Sequence, residues 1–218
     1  MVKNKLWVFG DSFNAVYRTE EFGKQYIDYL GYEPPTFSEI IAKQSDLELV
    51  NMAMGGSDNY SILETLCENS DKIGDDDYII VGWTDHARYR VVYDKKWRNF
   101  LSSPTIPQDT DDFLYINQNV ISEIAVKRLN NKFVLSEVCN WTKLLKKMYR
   151  SKILFWTWHI PYPCNYIIHP NNYLPKVMNM GITIDTKGEI IDGHLNKDGH
   201  VLLAELFYET LFTVKTII

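Results

Sequence analysis

Leu6-Trp7-Val8-Phe9-Gly10-Asp11-Ser12 is the stretch whose reading decides the fold of this chain. Four apolar residues in a row, halted by a Gly-Asp-Ser turn, read as a buried strand feeding a tight turn. The pattern recurs. Leu47 to Met54 alternates into a second strand that stops at Gly55-Gly56. Tyr78 to Val81 is a third strand, ending at Gly82-Trp83-Thr84-Asp85, and Ile153 to Trp158 is a fourth.

Helical segments separate these strands. Phe37 to Lys43 is amphipathic and follows Thr36, with Glu39 three residues on, as a capping box requires. Ser57 or Asp58 can cap a helix carrying Ile62, Leu63 and Leu66 on one face. Residues 117–149 read as helical, and Asn196 caps a last helix through Leu202, Leu203, Leu206, Phe207 and Leu211. Residues 13–35 read as a loop with one helical turn, and Ile182 to Ile191 as a short hairpin. Two aromatic, proline-broken stretches, near 85–116 and 159–180, read as irregular inserts.

Short strands alternating with helices call for an α/β fold, a parallel sheet with helices on both faces. In such sheets sites form beyond the carboxyl ends of the strands. Ser12, Gly56 and Thr84 each fall just past a strand end. With no linker or internal repeat, residues 1–218 are expected to form a single domain.

The net charge of −5 and the lack of a basic run argue against a nucleic-acid partner. Lys143, Lys146, Lys147, Arg150 and Lys152 read as the solvated face and C-terminal end of a helix. Three cysteines, an odd number without CxxC spacing, signal neither a disulfide framework nor a zinc site, and point to a reducing compartment. No cofactor or metal is expected, since the chain has no GxGxxG, Walker-type loop or His/Cys cluster at ligand spacing. The N-terminus lacks the features of a signal peptide, and no apolar run approaches the ~18 residues of a membrane helix.

A serine on a strand-to-helix turn can act as a nucleophile if a base takes its proton and nearby amides hold the oxyanion. Histidine is the usual base, oriented by a carboxylate. Of the five histidines, only two have an Asp two residues before them, and both lie in Asp192-Gly193-His194-Leu195-Asn196-Lys197-Asp198-Gly199-His200. His200 falls in the first turn of the last helix and is expected to be structural. Asp11 is expected to hold the turn around Ser12, and Asp85 to brace a loop.

The order of these pieces, GDS near the N-terminus, Gly after the second strand, Gly-x-x-Asp after the third and Asp-x-His before the last helix, resembles the SGNH/GDSL hydrolases over essentially the whole chain. The resemblance implies a flavodoxin-like three-layer α/β/α sandwich. It implies Ser12 as nucleophile, His194 as base and Asp192 as the carboxylate that orients the base. The oxyanion hole it implies uses the Ser12 amide, the Gly56 amide and a side-chain donor.

Two positions depart from the family pattern. The third block has Gly82-Trp83-Thr84-Asp85 in place of Gly-x-Asn-Asp, so Thr84, or else Asn59, would supply the side-chain donor. The last block has Asp192 two residues before His194 rather than three. Residues two apart on an extended segment point the same way, so Asp192 can still reach the ring. The Gly-Trp-Thr form is similar to that of phage-encoded relatives, so the expected location is cytoplasmic or virus-associated.

The function implied is hydrolysis of a carboxylic ester through an acyl-enzyme on Ser12. A short acyl group such as acetyl on a carbohydrate is favoured over a lipid chain, because the aromatic inserts resemble polar stacking surfaces. Trp83, Arg88 and His159 are the candidates for touching the substrate, with Arg88 or Arg90 suited to an anionic group. An acyltransferase using the same residues, or a non-catalytic module that kept the fold, are the alternatives.

Overall fold

The computed structural model describes residues 3–86, 88–93, 96–101, 131–149, 152–158, 161–172, 181–183 and 190–213. Its strands are β1 (Lys5–Phe9), β2 (Glu48–Asn51), β3 (Tyr78–Trp83), β4 (Arg88–Tyr93), β5 (Lys96–Leu101), β6 (Ile153–Thr157), β7 (Ile167–Ile168), β8 (Gly181–Thr183) and β9 (Ile190–Leu195). Its helices are α1 (Glu21–Leu30), α2 (Phe37–Gln44), α3 (Asn59–Glu68), α4 (Asn131–Tyr149) and α5 (Lys197–Tyr208).

The main sheet is parallel and five-stranded, in the order β2-β1-β3-β6-β7. Counting only its own strands, this is the flavodoxin-like order 2-1-3-4-5. Alternation along each strand divides the core between the two faces. Leu6, Val8, Ile80, Leu154 and Trp156 face α2 and α5, meeting Phe37, Ile41, Leu203 and Phe207. Trp7, Phe9, Ile79, Val81 and Phe155 face α3 and α4, meeting Ile62, Leu66, Val138 and Leu145. The result is the expected α/β/α sandwich. Each of these side chains contributes roughly 1.5–3 kcal/mol on burial.

The expected caps are in place. The Glu39 carboxylate accepts from Thr36 N and Thr36 Oγ1, both at 2.9 Å. Asp58, rather than Ser57, caps α3 by accepting from Tyr60 N and Ser61 N. Asn196 caps α5 by accepting from Gly199 N at 3.0 Å.

Several segments differ from the expectation. The loop expected over residues 13–35 contains the ten-residue helix α1. Gly23 weakens the local helical signal, but a Cβ there would lie 2.2 Å from Tyr17 O, so close tertiary packing needs the glycine. The supposedly irregular stretch after β3 contains the antiparallel pair β4 and β5, in register from Arg88↔Leu101 to Tyr93↔Lys96. The two residues between them, Asp94-Lys95, are not one of the usual tight-turn pairs, which hid the hairpin. Residues 102–116, and the expected helix over 117–130, lie outside the described residues. The second insert contains β7, a two-residue strand too short to leave a periodic signal. The hairpin expected over 182–191 is present as β8 and β9.

β2 is four residues long and ends earlier than its pattern suggested, because Asn51 Oδ1 turns back to accept from Ala53 N at 3.0 Å. The chain still follows β1 beyond that point. Met52 N donates to Val8 O at 2.8 Å and Met54 N to Gly10 O at 3.1 Å. These bonds carry the Gly55-Gly56 loop alongside the turn that leaves β1. Among the described residues, no helix is long and apolar enough to cross a membrane.

Candidate active site

The turn after β1 is held from below by a buried polar plug. Asp11 O accepts from Asn14 N, and Asp11 Oδ1 accepts from Phe13 N at 3.1 Å, which closes an Asx-type turn around Ser12. Asn14 is 2 % exposed. Its Nδ2 donates to Asp11 Oδ1, its Oδ1 accepts from Trp156 Nε1 at 2.8 Å, and its carbonyl accepts from Asn51 Nδ2 at 2.8 Å. A Cβ at Gly10 or Gly82 would lie 2.3 or 2.2 Å from Asn14 Nδ2. Both glycines therefore make room for this side chain.

Ser12 and His194, 182 residues apart in sequence, meet above the plug. Ser12 Oγ and His194 Nε2 are 2.6 Å apart, within hydrogen-bond reach for a nucleophile and its base. If Nε2 accepts, the ring proton sits on Nδ1, the tautomer a serine nucleophile needs. Several contacts set the ring's position. Tyr17 Oη donates to the Leu195 carbonyl at 2.5 Å, tying down the end of β9. Phe13 stacks on the imidazole with centroids 4.3 Å apart and planes 20° apart, and Trp158 packs on Phe13 at 5.3 Å. Asp192 lies in β9 across from Ile182, but its side chain lies outside the described residues.

A second network surrounds Thr84, which is fully buried. Its amide donates to Asn59 Oδ1 at 2.9 Å, and its carbonyl accepts from Tyr162 Oη at 2.6 Å and Asn59 Nδ2 at 3.3 Å. Asn59 Nδ2 also donates to Tyr162 Oη at 2.9 Å. Burial raises the Tyr162 phenol well above its ordinary range, so it stays a donor. Thr84 Oγ1 donates to Asp11 Oδ2 at 2.7 Å. The Thr84 hydroxyl and the Asn59 amide, both expected as oxyanion donors, are thus engaged with Asp11, with the Thr84 backbone and with Tyr162. Arg88 Nη1 approaches the same Asp11 oxygen at 3.4 Å.

The other expected residues fall in different places. Gly56 sits in an exposed loop with φ of 76°, a left-handed conformation suited to glycine. Glu20 steadies that loop by accepting from Gly55 N at 2.9 Å. Trp83 is not on a substrate surface: it is 1 % exposed and donates from Nε1 to Thr142 Oγ1 at 3.0 Å. Alternation along β3 turns it toward α4 with Ile79 and Val81, a correction to its expected substrate role. His159 and the Arg90 side chain lie outside the described residues. His200 is in the core, where its Nδ1 accepts from Phe37 N at 3.1 Å. Burial, with a smaller contribution from the charge of His194, pushes its pKa down to about 3.

Phe13, Asn14, Trp156 and Tyr162 have no part in the sequence reading, yet they position the site. Phe13 and Asn14 directly follow Ser12 and were the more accessible of the four, since a buried turn needs partners for its own polar groups.

No family model matches the chain, and no curated protein matches it. Among solved structures it is similar to a lipase/acylhydrolase from Enterococcus faecalis, with 14% identity, a TM-score of 0.46 and 94% of each chain covered. It is also similar to a carbohydrate esterase whose active site is described as displaying divergent catalytic and non-catalytic binding functions. There the identity is 14%, the TM-score 0.44, and the match covers 100% of this chain and 70% of that one.

Proposed function

We propose that this chain is a serine hydrolase that cleaves carboxylic esters through an acyl-enzyme on Ser12. The observation that carries the reading is the 2.6 Å approach of Ser12 Oγ to His194 Nε2 at the carboxyl end of a parallel sheet. In this mechanism Ser12 Oγ attacks the ester carbonyl while His194 Nε2 takes its proton. The amides of Ser12 and Gly56 hold the oxyanion, each donor being worth ~3 kcal/mol in comparable sites. The imidazolium then protonates the departing alkoxide, leaving Ser12 acylated. Water, deprotonated by the same ring, releases the acid. Asp192 is the group that holds the Nδ1 proton and favours the imidazolium.

The finer reading is a short acyl group, such as acetyl, on a carbohydrate. Its support is the half-buried Phe13 ring stacked on the imidazole, flat ring surface beside the base that suits a small acyl group and a sugar face. Two measurements test the proposal. Purified protein is expected to turn over p-nitrophenyl acetate faster than p-nitrophenyl octanoate, and a fluorophosphonate is expected to label Ser12 in the wild type but not in Ser12→Ala. Absence of both turnover and labelling overturns the ester-hydrolase reading, while a preference for octanoate overturns the short-acyl reading alone.

A further inference from the structure

The nucleophile turn is well supplied with side chains that hold one another. Among the described residues, few side chains are left over to hold an oxyanion. The Thr84 hydroxyl is given to Asp11, and the Asn59 amide bridges the Thr84 carbonyl and Tyr162. A third side chain reaches the same place. Arg88 N donates to Asp85 O at 3.0 Å, so the chain reverses directly after β3 and brings the first residue of β4 back toward Asp11. The Arg88 side chain is 16% exposed, and Nη1 lies 3.4 Å from Asp11 Oδ2.

That ion pair is a loose one. Asp11 already accepts shorter bonds from Phe13 N and from Thr84 Oγ1, and 3.4 Å is beyond the usual N–H···O range. A guanidinium has five N–H donors, and among the described residues the Arg88 side chain contacts Asp11 alone. A largely buried cation with donors to spare is costly unless something completes its hydrogen bonding. Asp11 directly precedes Ser12, so the natural complement for those donors is the negative charge that develops on the ester carbonyl oxygen.

We infer that Arg88 is a catalytic residue that supplies the side-chain donor of the oxyanion hole. The inference rests on the reading of Ser12 as the nucleophile. Asp11 acts as the anchor that keeps the guanidinium beside the turn, and Thr84 holds Asp11 in turn. Arg88 gives hydrogen bonds and transfers no proton, so the proton path from Ser12 to His194 to the leaving group is unchanged. The buried Asp11 carboxylate is matched by Arg88 in the resting state, and the oxyanion forms against a cation already in position.

The test compares Arg88→Ala and Arg88→Lys with the wild type on two esters, neutral p-nitrophenyl acetate and anionic mono-p-nitrophenyl succinate. The expected result is a fall in kcat of about 10²- to 10³-fold for Arg88→Ala on both esters, with KM changed less than about threefold. Affinity for a boronic acid, which mimics the tetrahedral adduct, falls in parallel. Millimolar guanidinium restores part of kcat to Arg88→Ala and leaves the wild type unaffected. Arg88→Lys keeps the charge but loses the fork, and is expected to lose at least tenfold in kcat; it carries the test alone if the alanine variant does not fold.

Unchanged kcat on both esters overturns the inference. So does a loss confined to KM for the succinate, which would make Arg88 a contact for an anionic substrate group. Either result, in a wild type that turns over esters and is labelled at Ser12, removes Arg88 and leaves the ester-hydrolase reading standing. A wild type that does neither removes both.

Discussion

Replacing His194 by alanine is expected to lower kcat for p-nitrophenyl acetate by about 10⁴- to 10⁶-fold. The size follows from what the serine loses. A hydroxyl near neutral pH is almost wholly protonated, and nothing else described within reach of Ser12 Oγ can take its proton. The amides of Ser12 and Gly56 remain, so a residual rate over water survives, and that residue sets the floor. A second consequence separates a working pair from two independent contributors. Ser12→Ala/His194→Ala is expected to be no slower than either single variant, because a base without a nucleophile has no proton to take. Multiplicative losses in the double variant would contradict the mechanism. The His194 ring is half-buried rather than part of the core, so its loss is expected to cost less stability than a core truncation. A thermal melt of His194→Ala close to that of the wild type checks that the lost rate is chemistry rather than unfolding. Asp192→Ala grades the third member: a loss of 10³-fold or more matches an orienting carboxylate, and a loss under tenfold matches a Ser-His dyad.

How much of this could be read from the sequence depended on whether the signal was local. Strands β1, β3 and β6 were legible because each carries a run of apolar residues ended by a turn, and the caps were legible because Thr36, Asp58 and Asn196 act within three residues of themselves. Ser12 and His194 were legible because the Gly-Asp-Ser turn and the Asp-Gly-His-Leu-Asn segment are compact. What escaped was set at a distance. Gly23 looks like a helix breaker until the Tyr17 carbonyl is known to lie where its Cβ would be. Trp83 follows a strand and looks available, yet one step of alternation puts it in the core against Thr142. The role of Thr84 is the clearest case. Position in the third block suggested a donor aimed at substrate, but the choice between facing the substrate and facing Asp11 is made by side chains 73 and 25 residues away. No spacing rule encodes that choice. Tyr162, which closes the network, sits in an aromatic insert with no motif around it.

His200 carries the same Asp-Gly-His pattern as His194, but the fold uses it differently. In the folded protein it is buried, accepts a hydrogen bond from Phe37 N at the start of α2, and lies between the Phe37 and Tyr17 rings. Protonation would destroy the acceptor and strand a cation in the core, which is why burial holds the pKa down to about 3, against an ordinary value near 6.5. The unfolded chain has no such restraint. Between pH 6.5 and 3, the unfolded state therefore binds a proton that the folded state refuses, and unfolding becomes easier as pH falls. The stabilising contribution is fully present above pH 6.5 and is lost by a little over 1 kcal/mol per pH unit below it. Across the whole window the loss is about 5 kcal/mol, comparable to the total stability of many domains. Asparagine at this position places Oδ1 near the site of Nδ1, keeping the acceptor for Phe37 N without a titrating group. His200→Asn is expected to be somewhat less stable than the wild type at pH 7.5, having lost ring packing. The gap is expected to narrow by about 2–3 kcal/mol by pH 4.5, since only the wild type carries the histidine term. Urea unfolding of both proteins at the two pH values measures the difference directly. A gap that stays constant with pH would mean that His200 takes up its proton in the folded state, and so is not buried as a neutral acceptor.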